Sequence, residues 1–331
     1  MLKQLQKMSS LIGNTPLKQL HDLGKINVFA KLEFYNHSGS IKDRAAYRII
    51  HDGIISGAIT SETTIVESSS GNLALALSMI CRELQLKFIP VIDPNINILY
   101  ERYLNILNPE VIKVTDKDPT GGYLLTRIKR VKDLIAERSK VFWTNQYENP
   151  SNYLAYFTSM GDEIEKKFDH LEFLFVAVSS GGTITGLSRR LKERFNMLKI
   201  IAVDAEGSLI FSSTPAPRYI PGIGASMKPG IIKNALIDEV VHVSQHEIIN
   251  GTHTLLQEQN IFCGGSSGAC YHAIKKFASS GYFKENDNIL FICPDKGDSY
   301  INSIYSPQWI ATLDERTMLT NPKIAPETGL L

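Results

Sequence analysis

The 331-residue chain is short of features that would commit it to a membrane, a metal or a disulfide framework. No apolar run approaches the roughly 18 residues of a membrane span, and the longest strand-like run, Phe173 to Val178, falls far below it. The opening Met-Leu-Lys-Gln-Leu-Gln-Lys lacks the continuous apolar segment of a signal peptide, so a soluble, cytoplasmic chain is expected. The four cysteines, Cys81, Cys263, Cys270 and Cys293, form no CxxC or other ligand-like spacing. Three of them sit in apolar runs and read as core thiols. The histidines make no cluster; only His37 lies beside a motif, and His51, His246 and His253 are expected at the surface. Charge of one sign is missing too. With 35 Lys+Arg against 34 Asp+Glu, the formal net charge of +1 gives no reason to expect nucleic acid or an anionic membrane as partner. Arg189-Arg190 and Lys166-Lys167 fall in helical patterns and read as solvated faces.

What is present is an α/β pattern. Short apolar runs alternate with helical periodicity, as expected of βαβ units and parallel sheets. Strands are predicted at Asn27 to Phe34, Thr63 to Glu67, Lys87 to Ile92, Glu172 to Val178, Lys199 to Val203 and Asn288 to Cys293. Helices are predicted at Lys42 to Ile55, Asn72 to Glu83, Thr183 to Phe195 and Ala269 to Phe277. Periodicity fades after about Arg316, where a mobile tail (316–331) is expected. A hydrophobic content of 43% over this length suits one or two domains.

Open α/β sheets place ligands at the carboxyl ends of their strands, so the strand-to-helix loops carry the interest. Ser179-Ser180-Gly181-Gly182-Thr183 offers small residues, hydroxyls and the amides of a helix start, which suit a phosphate. No lysine follows the glycines, so it is not a nucleotide P-loop, and a plain tight turn is the alternative. Ser68-Ser69-Ser70-Gly71-Asn72 suits a carboxylate, although one serine of the three would serve as an ordinary N-cap. Lys42 stands in a first helical turn after Gly39-Ser40, where the helix dipole would lower its pKa and make its amine available for a Schiff base. A surface charge is the other reading. Gly264-Gly265-Ser266-Ser267-Gly268 is either a helix entry or a source of a neutral hydroxyl for a ring nitrogen.

Taken in order, these motifs resemble the cysteine synthase family of pyridoxal-phosphate (PLP) enzymes, fold type II. The opening Ile12-Gly13-Asn14-Thr15-Pro16-Leu17, the segment Gly39-Ser40-Ile41-Lys42-Asp43-Arg44, Ser70-Gly71-Asn72, the 179–183 loop, Pro221-Gly222-Ile223-Gly224-Ala225 and the GGSSG segment follow the family order through to Pro294-Asp295-Lys296-Gly297-Asp298. The resemblance implies a tryptophan-synthase-β-like fold of two open twisted-sheet domains with PLP in the cleft. The small domain would span 34–144, and the large one 1–33 plus 145–315. It implies that Lys42 carries PLP and shuttles the α-proton. Ser179, Ser180, Gly181, Gly182 and Thr183 would hold the cofactor phosphate, and Asn72 would contact its 3′-oxygen. Ser69, Ser70 and Gln146 would receive the substrate carboxylate. Ser266, with Ser267 as runner-up, would face the pyridine nitrogen. A serine there does not keep the ring protonated, which favours β-elimination to an aminoacrylate over transamination. Asp43 and Arg44 are expected to stabilise the helix start, and a homodimer is implied.

Departures from the family pattern include His37, Ser38, Ser69, Leu73, Asn108-Pro109 and the Ser-Ser opening of the phosphate loop. They leave the cofactor chemistry intact but turn attention from sulfide. Gly121-Gly122-Tyr123-Leu124-Leu125-Thr126-Arg127-Ile128 and Asn145-Gln146-Tyr147 are similar to a siderophore-pathway branch that takes O-phosphoserine and glutamate toward 2,3-diaminopropionate. That similarity adds Arg127, Tyr147 and Gly222 as substrate contacts. Arg127 suits a phosphorylated or dicarboxylic substrate, the alternative being a basic helix face shared with Lys129 and Arg130. A cysteine or cystathionine synthase using a thiol is the rival within the class. A non-catalytic binding protein that kept the fold is the rival outside it.

Overall fold

The predicted strands pair because their apolar residues fill both faces of parallel sheets, which need a covering layer on each side. The structure is a computed structural model describing residues 1–119 and 121–320, with side chains to 313. Ten strands form: β1 (Leu17–Gln19), β2 (Asn27–Leu32), β3 (Thr64–Ser68), β4 (Lys87–Ile92), β5 (Ile112–Lys113), β6 (Val141–Trp143), β7 (Phe173–Ala177), β8 (Lys199–Ala205), β9 (Glu239–Val243) and β10 (Asn288–Cys293). Six of them order as β1-β2-β10-β7-β8-β9 and four as β5-β4-β3-β6. Among the strands of the described residues, the β1–β2 pair alone is antiparallel.

Period-two alternation sorts the side chains. Ile289 and Phe291 of β10 enter one core of the larger sheet, and Leu290 and Ile292 enter the core on its other face. In the smaller sheet Ile65 and Phe88 point to one layer, Val66 and Ile89 to the other. The helix Lys42–Ile55 spans two cores: Ile41 just before it and Ala45 pack with the larger sheet, while Ala46 and Ile50 pack with the smaller. Leu5 and Met8 of the first helix also join the smaller sheet's core.

The helices Lys42–Ile55 and Asn72–Glu83, and strands β4 and β10, have the predicted bounds. Other edges differ for local reasons. The strand predicted to Phe34 stops at Leu32, because Glu33–Tyr35 coils into a 3-10 turn that carries Glu33 inward to Arg44. The helix predicted from Ala269 begins at Gly265, so GGSSG supplies a first turn rather than a free loop. The tail expected from 316 is helical to Thr320, closing the helix Pro307–Thr320, and the rest lies outside the described residues. All four cysteines are buried free thiols. Of the histidines expected at the surface, His246 is exposed, but His51 and His253 are half-buried; His253 Nε2 lies 2.8 Å from the Ile304 carbonyl. Among the described residues no helix is long and apolar enough to cross a membrane, and no group of metal-ligating side chains gathers.

Candidate active site

The carboxyl ends of β2, β10, β7 and β8 lead into the segments carrying Lys42, Asp295, the 179–183 loop and the 206–229 loop; β3 leads from the smaller sheet into the serine loop. Lys42 opens its helix and its Nζ donates to Ser180 Oγ at 3.4 Å, which joins two of the sequence candidates directly. Burial pulls its pKa down to about 8, against the pull of Asp295 and Glu67 in the other direction. The lowered pKa expected from the helix dipole is present, but its cause is loss of hydration.

Around Ser180 the backbone forms a cradle. Gly181 is the N-cap of the helix Gly182–Arg194 at φ +83°, a left-handed conformation that glycine adopts without a Cβ penalty. A Cβ on Gly182 would collide with Asn152 Oδ1, and one on Gly181 would press on Ile232 Cδ1 at 3.1 Å. Ser179 Oγ donates to the Gly224 carbonyl at 3.2 Å, tying this loop to the Pro221–Ala225 turn. The amides of a first helical turn have no intrahelical acceptor, so the cradle ends in donors with positive potential.

Asp295 is the group that the sequence reading left without a role. It is 3% exposed. Its Oδ2 accepts Asn72 Nδ2 and the Tyr300 hydroxyl, both at 2.7 Å, while Oδ1 is buried with no hydrogen-bond partner. Burial raises its pKa, and Tyr300, Asn72 and Lys42 oppose that rise. Asn72 is thus held at both ends, because its Oδ1 also accepts the Tyr100 hydroxyl. Glu67, the last buried acid of β3 and likewise unassigned, accepts Thr144 Oγ1 and the amides of Ser68 and Gln146. It braces the 144–146 segment against the serine loop. Signals for both acids existed: Asp295 follows a central strand by two residues, and Glu67 is a charge inside an apolar run.

The serine loop meets its expected cation. Arg127 Nη1 donates to Ser70 Oγ at 3.0 Å, and Arg127 Nε lies 3.2 Å from Asp93 Oδ2. Ser70 Oγ in turn donates to Asp93 Oδ2 at 3.0 Å. Arg127, 13% exposed, therefore leaves the solvated basic face on which Lys129 remains at 77%. The Ser70 hydroxyl, expected to meet substrate, is already occupied. Ser69 and Gln146 are buried beside it, and Tyr147 is half-buried. Burial raises the Tyr147 pKa, Glu67 and Asp93 add to that rise, and Arg127 and Arg218 oppose it. Gly222 takes φ +89°, and a Cβ there would stand 3.4 Å from the Tyr300 hydroxyl. Both serines of the GGSSG turn are buried, and the Ser267 hydroxyl has no hydrogen-bond partner.

Beneath Lys42 lies a buried ion network. Arg44 Nε and Nη2 donate to Glu33 at 2.7 and 2.9 Å, and Nη1 and Nη2 donate to Glu163 at 2.7 and 2.9 Å. Lys31 Nζ also reaches Glu163, at 2.7 Å. Asp43 does hold the helix entry, accepting the Ser38 amide at 2.8 Å, but Arg44 points into this network instead. Thr15 and Asn36 donate to Glu33, and Asn36 Oδ1 accepts the Gly13 amide, so the Ile12–Leu17 motif and the loop before Lys42 are fastened to one carboxylate.

A buried amine of lowered pKa beside a glycine cradle at a helix start suits an aldehyde cofactor that carries a phosphate. Comparison with known proteins agrees. A family model described as pyridoxal-phosphate dependent enzyme matches residues 8–295. The chain is 43% identical over 306 residues to the N-(2-amino-2-carboxyethyl)-L-glutamate synthase of Ralstonia nicotianae (strain ATCC BAA-1114 / GMI1000), covering 91% of this chain and 90% of that protein. The solved O-acetylserine dependent cystathionine beta-synthase from Helicobacter pylori superposes with a TM-score of 0.84 at 32% identity, over 90% of this chain and 98% of that one. O-ureido-L-serine synthase shares the fold, with a TM-score of 0.82 at 23% identity over 92% of this chain and 98% of that one.

Proposed function

The chain belongs to the pyridoxal-phosphate-dependent enzymes and is a β-replacement enzyme, and from that premise we propose that it joins O-phospho-L-serine to L-glutamate. The glutamate amine forms a C–N bond at the serine β-carbon, phosphate leaves with the C–O electron pair, and N-(2-amino-2-carboxyethyl)-L-glutamate results. The observation that carries this reading is Arg127, a cation drawn off its helix surface onto the serine loop. An acetylated donor presents one anionic group to the site; a phosphorylated one presents two and needs a second partner.

The bound cofactor supplies the electron sink that lets the α-proton and the β-substituent leave. Lys42 would hold it, with Ser179, Ser180, Gly181, Gly182 and Thr183 on its phosphate and Asn72 on its ring oxygen. Ser266 would face the ring nitrogen, with Ser267, whose hydroxyl is buried without a hydrogen-bond partner, as the runner-up. The Lys42 Nζ would also take the α-proton and return it. Ser69 and Gln146 orient the donor carboxylate. Ser70 acts by holding Arg127, which exchanges Asp93 for the donor phosphate. Tyr147 and Gly222 close the wall opposite. We further place the enzyme in the cytoplasm as a homodimer, with 34–144 moving inward over the larger unit to exclude water. Leu5 and Met8 would travel with that small unit.

The test incubates the purified holoenzyme with O-phosphoserine or O-acetylserine, each against glutamate, sulfide and homocysteine, and identifies products by mass. The phosphoserine–glutamate pair should give the conjugate with stoichiometric phosphate. Turnover with a thiol and none with glutamate would instead support the reading drawn from the cystathionine synthase relative and reject this one.

A further inference from the structure

A dicarboxylic amine brings two carboxylates into the cleft, and a buried carboxylate requires a paired cation or several donors. The donor's own anions are provided for by the serine loop and Arg127. Among the described residues, and apart from Lys42, which is assigned to the cofactor, Arg218 is a cation beside this cleft that makes no ion pair. It is half-buried and engages only neutral oxygens, with Nη1 3.4 Å from the Ile223 carbonyl and Nη2 3.0 Å from Ser226 Oγ. Its acidic neighbour Asp204 is fully buried behind it and beyond ion-pair distance, with Oδ1 taken by the Ala205 amide.

Three contacts fix the turn that Arg218 braces as cleft wall. The Gly224 amide donates to the Val178 carbonyl at 2.7 Å, and the Gly224 carbonyl takes Ser179 Oγ, so one side abuts the phosphate cradle. On the other side Gly222 approaches the Tyr300 hydroxyl, which donates to Asp295. Tyr147 is within electrostatic reach of both the Arg127 and the Arg218 guanidinium. Two arginines thus act on one phenol, one paired with Asp93 and bound to the donor loop, the other with Asp204 near it but no acid within ion-pair distance. The guanidinium outside any ion pair is carried by the turn beside the phosphate cradle, while the donor's anions are assigned to the other arginine.

We infer that Arg218 is the residue that binds the side-chain carboxylate of the incoming amine and so selects a dicarboxylic nucleophile. This rests on the reading that glutamate is the nucleophile. Its planar fork can take a carboxylate through two parallel N–H donors, and a neutral side-chain amide would leave that charge unanswered.

The experiment measures KM for glutamate and glutamine with saturating O-phosphoserine in the wild type, Arg218→Gln and Arg218→Lys holoenzymes. It also follows the visible spectrum as O-phosphoserine alone is titrated. In Arg218→Gln the glutamate KM should rise ten-fold or more, with the glutamate-over-glutamine preference collapsing toward one. The donor titration should keep its wild-type midpoint, and Arg218→Lys should recover part of the preference. An unchanged glutamate preference in Arg218→Gln overturns the inference, as does a shift confined to the donor titration. Should the glutamine variant lose its cofactor, the lysine variant decides by the same split between donor and glutamate dependence. A wild type that does not use glutamate rejects the proposed reaction itself, which separates that failure from failure at Arg218.

Discussion

Replacing Glu33 by glutamine tests how the buried network supports the lysine loop. Lys31, Arg44, Glu33 and Glu163 form a charge-balanced group in which the Arg44 and Glu33 side chains are 1% and 0% exposed. Glu33→Gln keeps the shape but leaves one net positive charge in a site closed to water. It also puts an amide N–H where the carboxylate accepts from Arg44, Thr15 or Asn36. Breaking a buried pair from one side costs about 3–5 kcal/mol, against a total stability of roughly 5–15 kcal/mol for a folded protein. The exposed pair Lys25–Glu285, at 76% and 60%, provides the control, for which Glu285→Gln should cost about 0–1 kcal/mol. Urea unfolding followed by tryptophan fluorescence gives both values if the slopes match. Removing both charges, with Glu33→Leu and Arg44→Met, should recover part of the loss, because neither charge is then stranded. A Glu33→Gln protein no less stable than Glu285→Gln would refute the reasoning.

Two further outcomes follow from the site. In cofactor-free protein the Lys42 amine should label with an amine-reactive reagent along a titration centred near pH 8, and a midpoint near the ordinary 10.5 would contradict its burial. Because its folded pKa lies below the unfolded value, the cost of burying its charge is complete below pH 8 and is relieved as pH rises toward 10.5, so this group adds stability to the apo-protein in that window. Gly182→Ala places a methyl against Asn152 Oδ1, and should weaken retention of the cofactor phosphate at least ten-fold in an equilibrium titration with PLP; retention equal to wild type would show that the cradle tolerates a side chain.

Much of this was legible in the sequence where a local rule governs. The helix from Lys42 and strand β10 follow from periodicity and from Pro294 as a stop. Lys42 and Ser180 were both named from strand-end loops, and the fold brings them to 3.4 Å. Contacts between distant segments had no local signal. Arg44 reads as a helix-start charge until Glu33 and Glu163, 119 residues along the chain in the latter case, are brought beside it. Ser70 reads as a free hydroxyl until Asp93 and Arg127 occupy it. Asp295 and Arg218 belong to segments whose residues look like ordinary turns, and only the packing of β10 and β8 on either side of β7 brings those segments to the same end of the sheet.

The central claim is that one amine in this cleft bears the cofactor. Borohydride treatment of the purified yellow holoenzyme, followed by proteolysis and mass analysis, should place a pyridoxyl phosphate group on the peptide containing Lys42 and on no other lysine. A label on a different lysine, or an unlabelled Lys42 peptide from protein that had turned over substrate, would contradict the account.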